Sequence, residues 1–232
     1  MKVLLIIPAY NEEENILKTC NKIKEFSDEL DFVVINDGSK DNTLKILEEN
    51  NLNHINLINN LGIGGAVQTG YKYAYQNNYD IAIQFDGDGQ HDVNYVPNIC
   101  EPILNGQANI VIGTRYLDKK ASKFQSTFMR RFGSKVISLF IKICTGKKIT
   151  DPTSGFRAVD KKIIEEFARD YPTEYPEPES TACMLHKKYK VSEVPVSMNE
   201  RQGGKSSIRF LKTADYMFKV CLTILIDSTR KH

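Results

Sequence analysis

Apolar residues along this chain gather in short runs of strand length separated by longer amphipathic stretches. KVLLII (2–7), DFVVI (31–35), HINLI (54–58), DIAIQF (80–85) and NIVIG (109–113) are the runs, each predicting a strand. Between them, ENILKTCNKIKEF, TLKILEEN, AVQTGYKYAYQN and VNYVPNICEPIL place apolar residues at helical spacing. Near-continuous apolar strands with intervening helices predict an α/β fold: a mostly parallel central sheet flanked by helices on both faces. Such sheets bind ligands beyond the carboxyl ends of their strands. Polar clusters stand at those ends here, at 8–12, 36–41, 86–92 and 114–116.

After Tyr116 the pattern loosens. DKKASKF is polar and expected to be mobile, FMRRFGSKVISLFIKIC (128–144) predicts a helix, and TGKKITDPTSGFRAVD (145–160) is turn-rich. KKIIEEFARD resumes as a helix, and the proline-bearing YPTEYPEPES (171–180) is expected to be a loop whose following helix starts near Glu179. YKVSEVPVSM (189–198) predicts a further strand and NERQGGKSS (199–207) a flexible loop. The last stretch sets Phe210, Leu211, Met217, Phe218, Cys221, Leu222 and Leu225 at helical intervals, with basic residues at both ends. Such a helix can lie in a membrane interface, pack on its own domain or meet a second subunit in a homodimer. One catalytic unit over 1–207 and an amphipathic helical tail over 208–232 is the expected organisation.

Composition narrows the partners. With 31 basic and 29 acidic residues the net charge is only +2, which argues against nucleic acid as the partner. Five scattered cysteines without a CxxC pair suit a reducing compartment, and the four dispersed histidines give no zinc pattern. The apolar run at the start is broken by Pro8 and then turns acidic, as expected of a first strand rather than an export signal. No stretch approaches the roughly 20 apolar residues that span a bilayer. The expected location is the cytoplasm, peripherally on the inner face of the cell membrane.

The acidic turn FDGDGQHD (85–92) carries the sharpest chemical signal. Asp86 and Asp88 stand two apart at a strand end, so their carboxylates point the same way and repel unless a cation lies between them. Mg²⁺ or Mn²⁺ fits, with Gln90 and Asp92 extending the polar rim. A solvent-exposed Asp/Gly turn is the plainer account. In NDGSKDNT (36–43), Asp37 could accept from a nucleobase, while Asp41 or Asn42 could cap a helix. The glycines of LGIGGAVQTG (61–70) suit either close backbone approach to a ligand or tight helix packing, and their spacing disfavours a dehydrogenase. Arg115, Arg130, Arg131, Arg157, Arg201 and Lys205 are candidates for phosphate oxygens, the last two beside glycines in a loop that could close as a lid.

Together, PAYNEEENI, VVINDGSKDNT, NLGIGGAVQTGY, FDGDGQHD, IGTRY, DPTSGFR and EVPVSMNERQGGKSS resemble the inverting family 2 glycosyltransferases of GT-A fold. The likeness is nearest to the branch of dolichol-phosphate mannose synthases and bacterial polyprenyl-phosphate glycosyltransferases, and it covers residues 1 to 207. It implies a nucleotide-sugar donor held by Pro8, Ala9, Asn11, Glu12, Asp37, Gly65, Asp86 and Gly87, with Arg201 and Lys205 in a loop over it. It implies a divalent ion on Asp86, Asp88 and Gln90, and an acceptor phosphate gripped by Arg115 with Arg130 or Arg131. Asp88, Arg115, Arg131 and Asp151 are the expected catalytic set. The first acid of the family's DDGS motif is Asn36 here, and no stretch reads as the C-terminal membrane helices that many members carry.

The expected reaction moves a sugar from a nucleotide-sugar to undecaprenyl or another polyprenyl phosphate, inverting the anomeric centre, in the synthesis of cell-surface polysaccharide or glycoconjugate. A phosphate monoester is largely deprotonated at neutral pH and needs no general base. Two alternatives stand beside it. A lipid-linked saccharide could be extended through a sugar hydroxyl, which needs a base, with Asp151 and Glu179 as candidates. The chain could also be a non-catalytic nucleotide-sugar-binding module. A nucleotidyltransferase is disfavoured because the loop after the first strand is acidic, AYNEEEN, rather than glycine-rich and basic.

Overall fold

The computed structural model describes residues 1–27, 29–117, 128–198 and 212–229, without the side chains of 128–130, 212–216 and 227–229. The predicted DKKASKF and NERQGGKSS segments, and with them Arg201 and Lys205, lie outside the described residues, as does the Arg130 side chain.

Among the described residues, seven strands form one sheet in the order β3-β2-β1-β4-β6-β5-β7. They are β1 (Val3–Ala9), β2 (Asp31–Asn36), β3 (His54–Asn56), β4 (Ile81–Gln84), β5 (Ile110–Thr114), β6 (Arg157–Asp160) and β7 (Val191–Pro195). All pairings are parallel except those of β6, which runs antiparallel to β4 on one side and β5 on the other. The six strands predicted from the sequence are present. β6 is a correction, since its residues fall in the stretch read as turn-rich.

Period-two alternation divides the core between two faces. Leu4 and Ile6 of β1 join Val33 and Ile35 of β2 on one face, while Leu5 and Ile7 join Val34 on the other. Over the first face lie α3 (Gly62–Gln76), α5 (Phe128–Thr145), α6 (Lys161–Arg169), α7 (Pro176–His186) and α8 (Lys212–Thr229). Over the second lie α1 (Ile16–Phe26), α2 (Thr43–Glu49) and α4 (Val96–Leu104). A three-layer α/β/α sandwich results, as the unbroken apolar strands predict.

Two glycines of the LGIGGAVQTG stretch are explained by packing. A Cβ on Gly70 would sit 2.1 Å from Ile6 of β1, and one on Gly64 would sit 2.3 Å from the carbonyl oxygen of Pro172. Gly65 is likewise buried inside α3, where a Cβ would meet the Leu61 side chain at 2.5 Å. α7 begins at Pro176, three residues before the predicted start, and carries Glu177 and Glu179 in its first turn. Proline is favoured there because its missing N–H would have no helical partner. α8 packs against α5 and α7, burying Val220 and Ile224.

Candidate active site

The carboxyl ends of β1, β2 and β4 lie side by side, which brings three of the predicted polar clusters together. Asn11 adopts a left-handed backbone (φ 55°), turning the chain sharply after β1. Its N–H donates to Ser39 Oγ and its side-chain oxygen accepts from the Lys40 N–H, tying the first loop to the second. Glu12 is fixed next to it: its N–H donates to Thr43 Oγ1, and its carboxylate accepts from Asn15 Nδ2. The second loop is also anchored to the sheet, because the Asp37 N–H donates to the Ala9 carbonyl.

Asp37 is 3% exposed. Burial raises its carboxyl above the usual range, and the Leu61 and Gly62 N–H groups at the start of α3 act against that rise. One of them is a 2.7 Å bond from Leu61 N to Asp37 Oδ1. The predicted base-binding acid therefore also orients the entry to α3. Asn36, in place of the family's first acid, bridges to Asn56 of β3 through a 2.7 Å amide contact. Asn42 is the N-cap position of α2 but makes no side-chain cap, and Asp41 before it closes the turn into the helix, Oδ1 accepting from the N–H and hydroxyl of Thr43.

Asp86 and Asp88 follow β4. Asp88 is 8% exposed and one carboxylate oxygen accepts from the Gln90 N–H, closing the turn. Gly87 is locked beneath, its carbonyl accepting from Thr19 Oγ1 of α1. The Asp86 carboxylate lies over Gly155 of the DPTSGFR segment, where a Cβ would fall 3.3 and 3.4 Å from its two oxygens. Hard oxygen donors of this kind suit Mg²⁺ or Mn²⁺, which commonly use one or two carboxylates and complete their shell with water and substrate phosphate. Among the described residues, no group of three or more histidine, cysteine or carboxylate side chains is placed to hold a metal ion.

His91, which the sequence reading left without a role, sits directly behind this turn. Its ring stacks on Phe156 at 4.7 Å and meets Phe85 edge-on at 5.5 Å. Nδ1 accepts from the Asp86 N–H at 2.9 Å, and Nε2 lies 3.4 Å from Asp86 Oδ2. Burial lowers its pKa to about 4, against the attraction of Asp88, so the ring is neutral at pH 7.

Arg115 follows β5 and forms a bidentate pair with the fully buried Asp151, Nε to Oδ2 at 2.7 Å and Nη2 to Oδ1 at 2.8 Å. Burial opposes the Arg115 charge, but the hydrogen bonds and attraction of Asp151 outweigh it, with Asp86 adding to the pull. Asp151 is held in turn by Glu193 of β7, whose carboxylate accepts from the N–H groups of Thr150 and Asp151. Both Asp151 oxygens are engaged by the Arg115 guanidinium, so the pair fixes the direction of that side chain. Arg131 of α5 reaches the same neighbourhood: its guanidinium lies 6.0 Å from the Tyr116 ring, and that of Arg115 lies 5.5 Å from it.

Arg157 is corrected. Rather than facing a phosphate it is fully buried, donating to the Ser154 and Glu177 carbonyls and to Ser180 Oγ and Thr181 Oγ1. The acid that approaches the β4 end is Glu177. Its carboxylate accepts from Gln84 Nε2 at 3.3 Å, and burial raises its pKa against the pull of Arg157, with Asp86 adding to the rise. Two acids two apart in YPEPES were visible in the sequence, but choosing between them required the phase of α7.

Known proteins resemble this chain in sequence and in fold. Residues 4–168 match the family model described as glycosyl transferase family 2. The chain is 33% identical over 213 residues to the UDP-N-acetylglucosamine–dolichyl-phosphate N-acetylglucosaminyltransferase of Methanococcus voltae, covering 84% of each protein. It is 29% identical over 221 residues to the undecaprenyl-phosphate mannosyltransferase of Micrococcus luteus, covering 90% of this chain and 88% of that one. In fold it is similar to glucosyl-3-phosphoglycerate synthase from Mycobacterium tuberculosis, solved with Mn²⁺, UDP and glucosyl-3-phosphoglycerate. The TM-score is 0.71 at 17% identity, over 100% of this chain and 81% of that one. The chain thus belongs to glycosyl transferase family 2, with the GT-A-like α/β fold its motifs predict.

Proposed function

We propose that this protein transfers a sugar from a nucleotide-sugar to a polyprenyl phosphate, with a divalent ion on Asp86 and Asp88. The observation that carries this reading is the placing of Arg115 and Arg131 about one tyrosine ring, with Asp86 contributing to the electrostatics of Arg115. The relatives named for lipid-phosphate acceptors support it.

In the proposed reaction an acceptor phosphate oxygen attacks the anomeric carbon from the face opposite the diphosphate. The glycosidic C–O bond to the diphosphate breaks, its electron pair leaves with the nucleoside diphosphate, and configuration inverts. A bound Mg²⁺ or Mn²⁺ would supply positive charge for the leaving diphosphate. Asp86 and Asp88 would hold that charge in place, Gln90 would border it, and Gly87 would allow the diphosphate close to the turn. Pro8, Ala9, Asn11, Glu12 and Asp37 would surround the nucleoside, with Gly65 shaping the start of α3 behind it. Arg201 and Lys205 would act from the loop over the donor. Arg115, fixed by Asp151, and Arg131 or Arg130 would orient the acceptor, whose phosphate needs positioning rather than deprotonation.

The lipid acceptor requires contact with a membrane surface. α5 leaves Phe132, Leu139 and Ile143 exposed, and α8 leaves Phe218, Leu222 and Leu225 exposed, with Lys135, Lys142 and Lys219 among them. No described helix is long and apolar enough to cross a membrane. Peripheral attachment by these faces fits the proposed substrate, with 1–207 as the catalytic unit and 208–232 as the tail. A homodimer formed through the same faces is the competing use of that surface.

A second reading, extension of a lipid-linked saccharide, is favoured by one observation: Glu177 has a raised pKa beside Gln84. A sugar hydroxyl would need such a base. The discriminating assay incubates the protein with Mn²⁺, undecaprenyl phosphate in detergent and a panel of nucleotide-sugars, with lipid products read by mass spectrometry. A lipid heavier by one glycosyl unit and free of nucleotide supports the phosphate acceptor. Under that reading Glu177→Gln keeps kcat within a few-fold, whereas loss of about 100-fold or more in kcat would identify a base. Asp88→Asn is expected to abolish turnover in a folded protein, and an active variant would overturn the metal assignment.

A further inference from the structure

We propose that His91 is a positioning residue that fixes Asp86 from behind, so that its carboxylate is already aimed when a divalent ion arrives. The inference rests on the assignment of Asp86 and Asp88 to the metal. It starts from the ring edge, where one nitrogen is hydrogen-bonded to the Asp86 backbone and the other comes close to its carboxylate. Nδ1 accepts from Asp86 N–H at 2.9 Å, and Nε2 comes within 3.4 Å of Asp86 Oδ2, a close contact rather than a hydrogen bond. The backbone bond fixes where the chain turns at Asp86 and the close ring edge limits how its carboxylate can swing, so the histidine positions the carboxylate rather than standing as a ligand beside it.

The ring itself has little freedom. It is 6% exposed, stacked on Phe156 and crossed by the edge of Phe85. Phe85 immediately precedes Asp86, and Phe156 immediately precedes Arg157 at the start of β6, so the clamp is built from two adjacent strands of the sheet. The turn between Asp86 and His91 is closed internally by the Asp88–Gln90 hydrogen bond. The six-residue segment therefore returns on itself, and its last member holds its first. Carboxylates that bind metal are often oriented by such outer partners, and losing one costs about 10–100-fold in metal affinity.

The test measures Mn²⁺ binding to the whole chain without donor, by the EPR signal of free Mn²⁺, in the wild type, Asp86→Asn, His91→Phe and His91→Asn. His91→Phe retains an aromatic ring between Phe85 and Phe156 but removes both nitrogen contacts. The expected result is Mn²⁺ affinity lowered about 10–100-fold in His91→Phe, with a thermal midpoint close to wild type. In assays, its apparent KM for Mn²⁺ should rise while kcat at saturating Mn²⁺ recovers. His91→Asn, whose amide oxygen can accept from Asp86 N–H, should fall between the two, and it carries the test if His91→Phe does not fold. Wild-type Mn²⁺ affinity in folded His91→Phe or His91→Asn overturns the inference while leaving the metal site standing. Equal binding by wild type and Asp86→Asn removes the metal assignment, and the inference with it.

Discussion

Gly155 has no side chain, and the Asp86 carboxylate and the Gln84 amide occupy the space one would need. A Cβ there would lie 2.9 Å from Gln84 Nε2 and 3.3 Å from the nearer Asp86 oxygen. Gly155→Ala should therefore push the Gln84 amide aside and crowd the Asp86 carboxylate next to it, while leaving the apolar core intact. Because misplacing a reacting group by about 1 Å can cost about 100-fold, we expect kcat/KM to fall roughly 10- to 100-fold with little change in thermal midpoint. Steady-state kinetics beside a melting curve checks this, and unchanged kinetics would mean that Asp86 tolerates the shift. At this scale the sequence was informative about residue type and less so about partnership. The pair Asp86 and Asp88 could be read from period two alone, whereas His91 and Gly155 depend on contacts between segments far apart in the chain. Nothing in FDGDGQHD or DPTSGFR announces that a histidine from one stacks on a phenylalanine from the other. Likewise Asp151 stood out as an acid, but its occupation by Arg115 is a tertiary fact.

Among elements, β6 was the one hidden in the sequence. It spans four residues, begins with a charged side chain and follows a turn-rich stretch, so neither length nor alternation marks it. The arginine that disguises it is what links the strand to α7: Arg157 donates to the Glu177 carbonyl and to Ser180 and Thr181 in the first turns of that helix. Arg157→Met should fill similar space but remove both guanidinium donors from the Ser154 carbonyl and leave the Glu177 carboxylate without its cation. Ser180 and Thr181 would keep their bonds to the Glu177 carbonyl. Stranding buried polar groups costs about 1–3 kcal/mol apiece, so we expect a loss on the order of 3 kcal/mol in urea unfolding. A loss below about 1 kcal/mol would mean that neighbouring groups or water replace the guanidinium. The helices were far more legible, because each repeats its apolar face over several turns. α7 was misplaced by three residues because its prolines resemble loop punctuation, although two of them sit in the first turn, where a helix accepts them.

For the whole molecule, the sandwich leaves two helices with apolar side chains outward, Phe218 at 68% and Ile143 at 70% exposure. If these faces meet a lipid surface, Phe218→Glu combined with Leu222→Glu should abolish co-sedimentation with anionic vesicles while preserving the circular dichroism spectrum. Retained sedimentation would reject that surface, and loss of a dimer by light scattering instead would assign it to self-association. The overall α/β architecture was legible because it follows from strand burial, which short apolar runs report directly. What could not be read was the strand order, since an inserted antiparallel strand depends on segments about 75 residues apart. That insertion also bears on how the chain is made. On the ribosome, β1 to β4 emerge early and can pair among themselves, but the outer edge of β4 stays open until residues 157–160 have been synthesised. At a translation rate of about 5–20 residues per second, the interval lasts several seconds. Throughout it, an apolar strand edge next to the future catalytic turn is available to the wrong partner, so the nascent enzyme is expected to need a chaperone most during this interval.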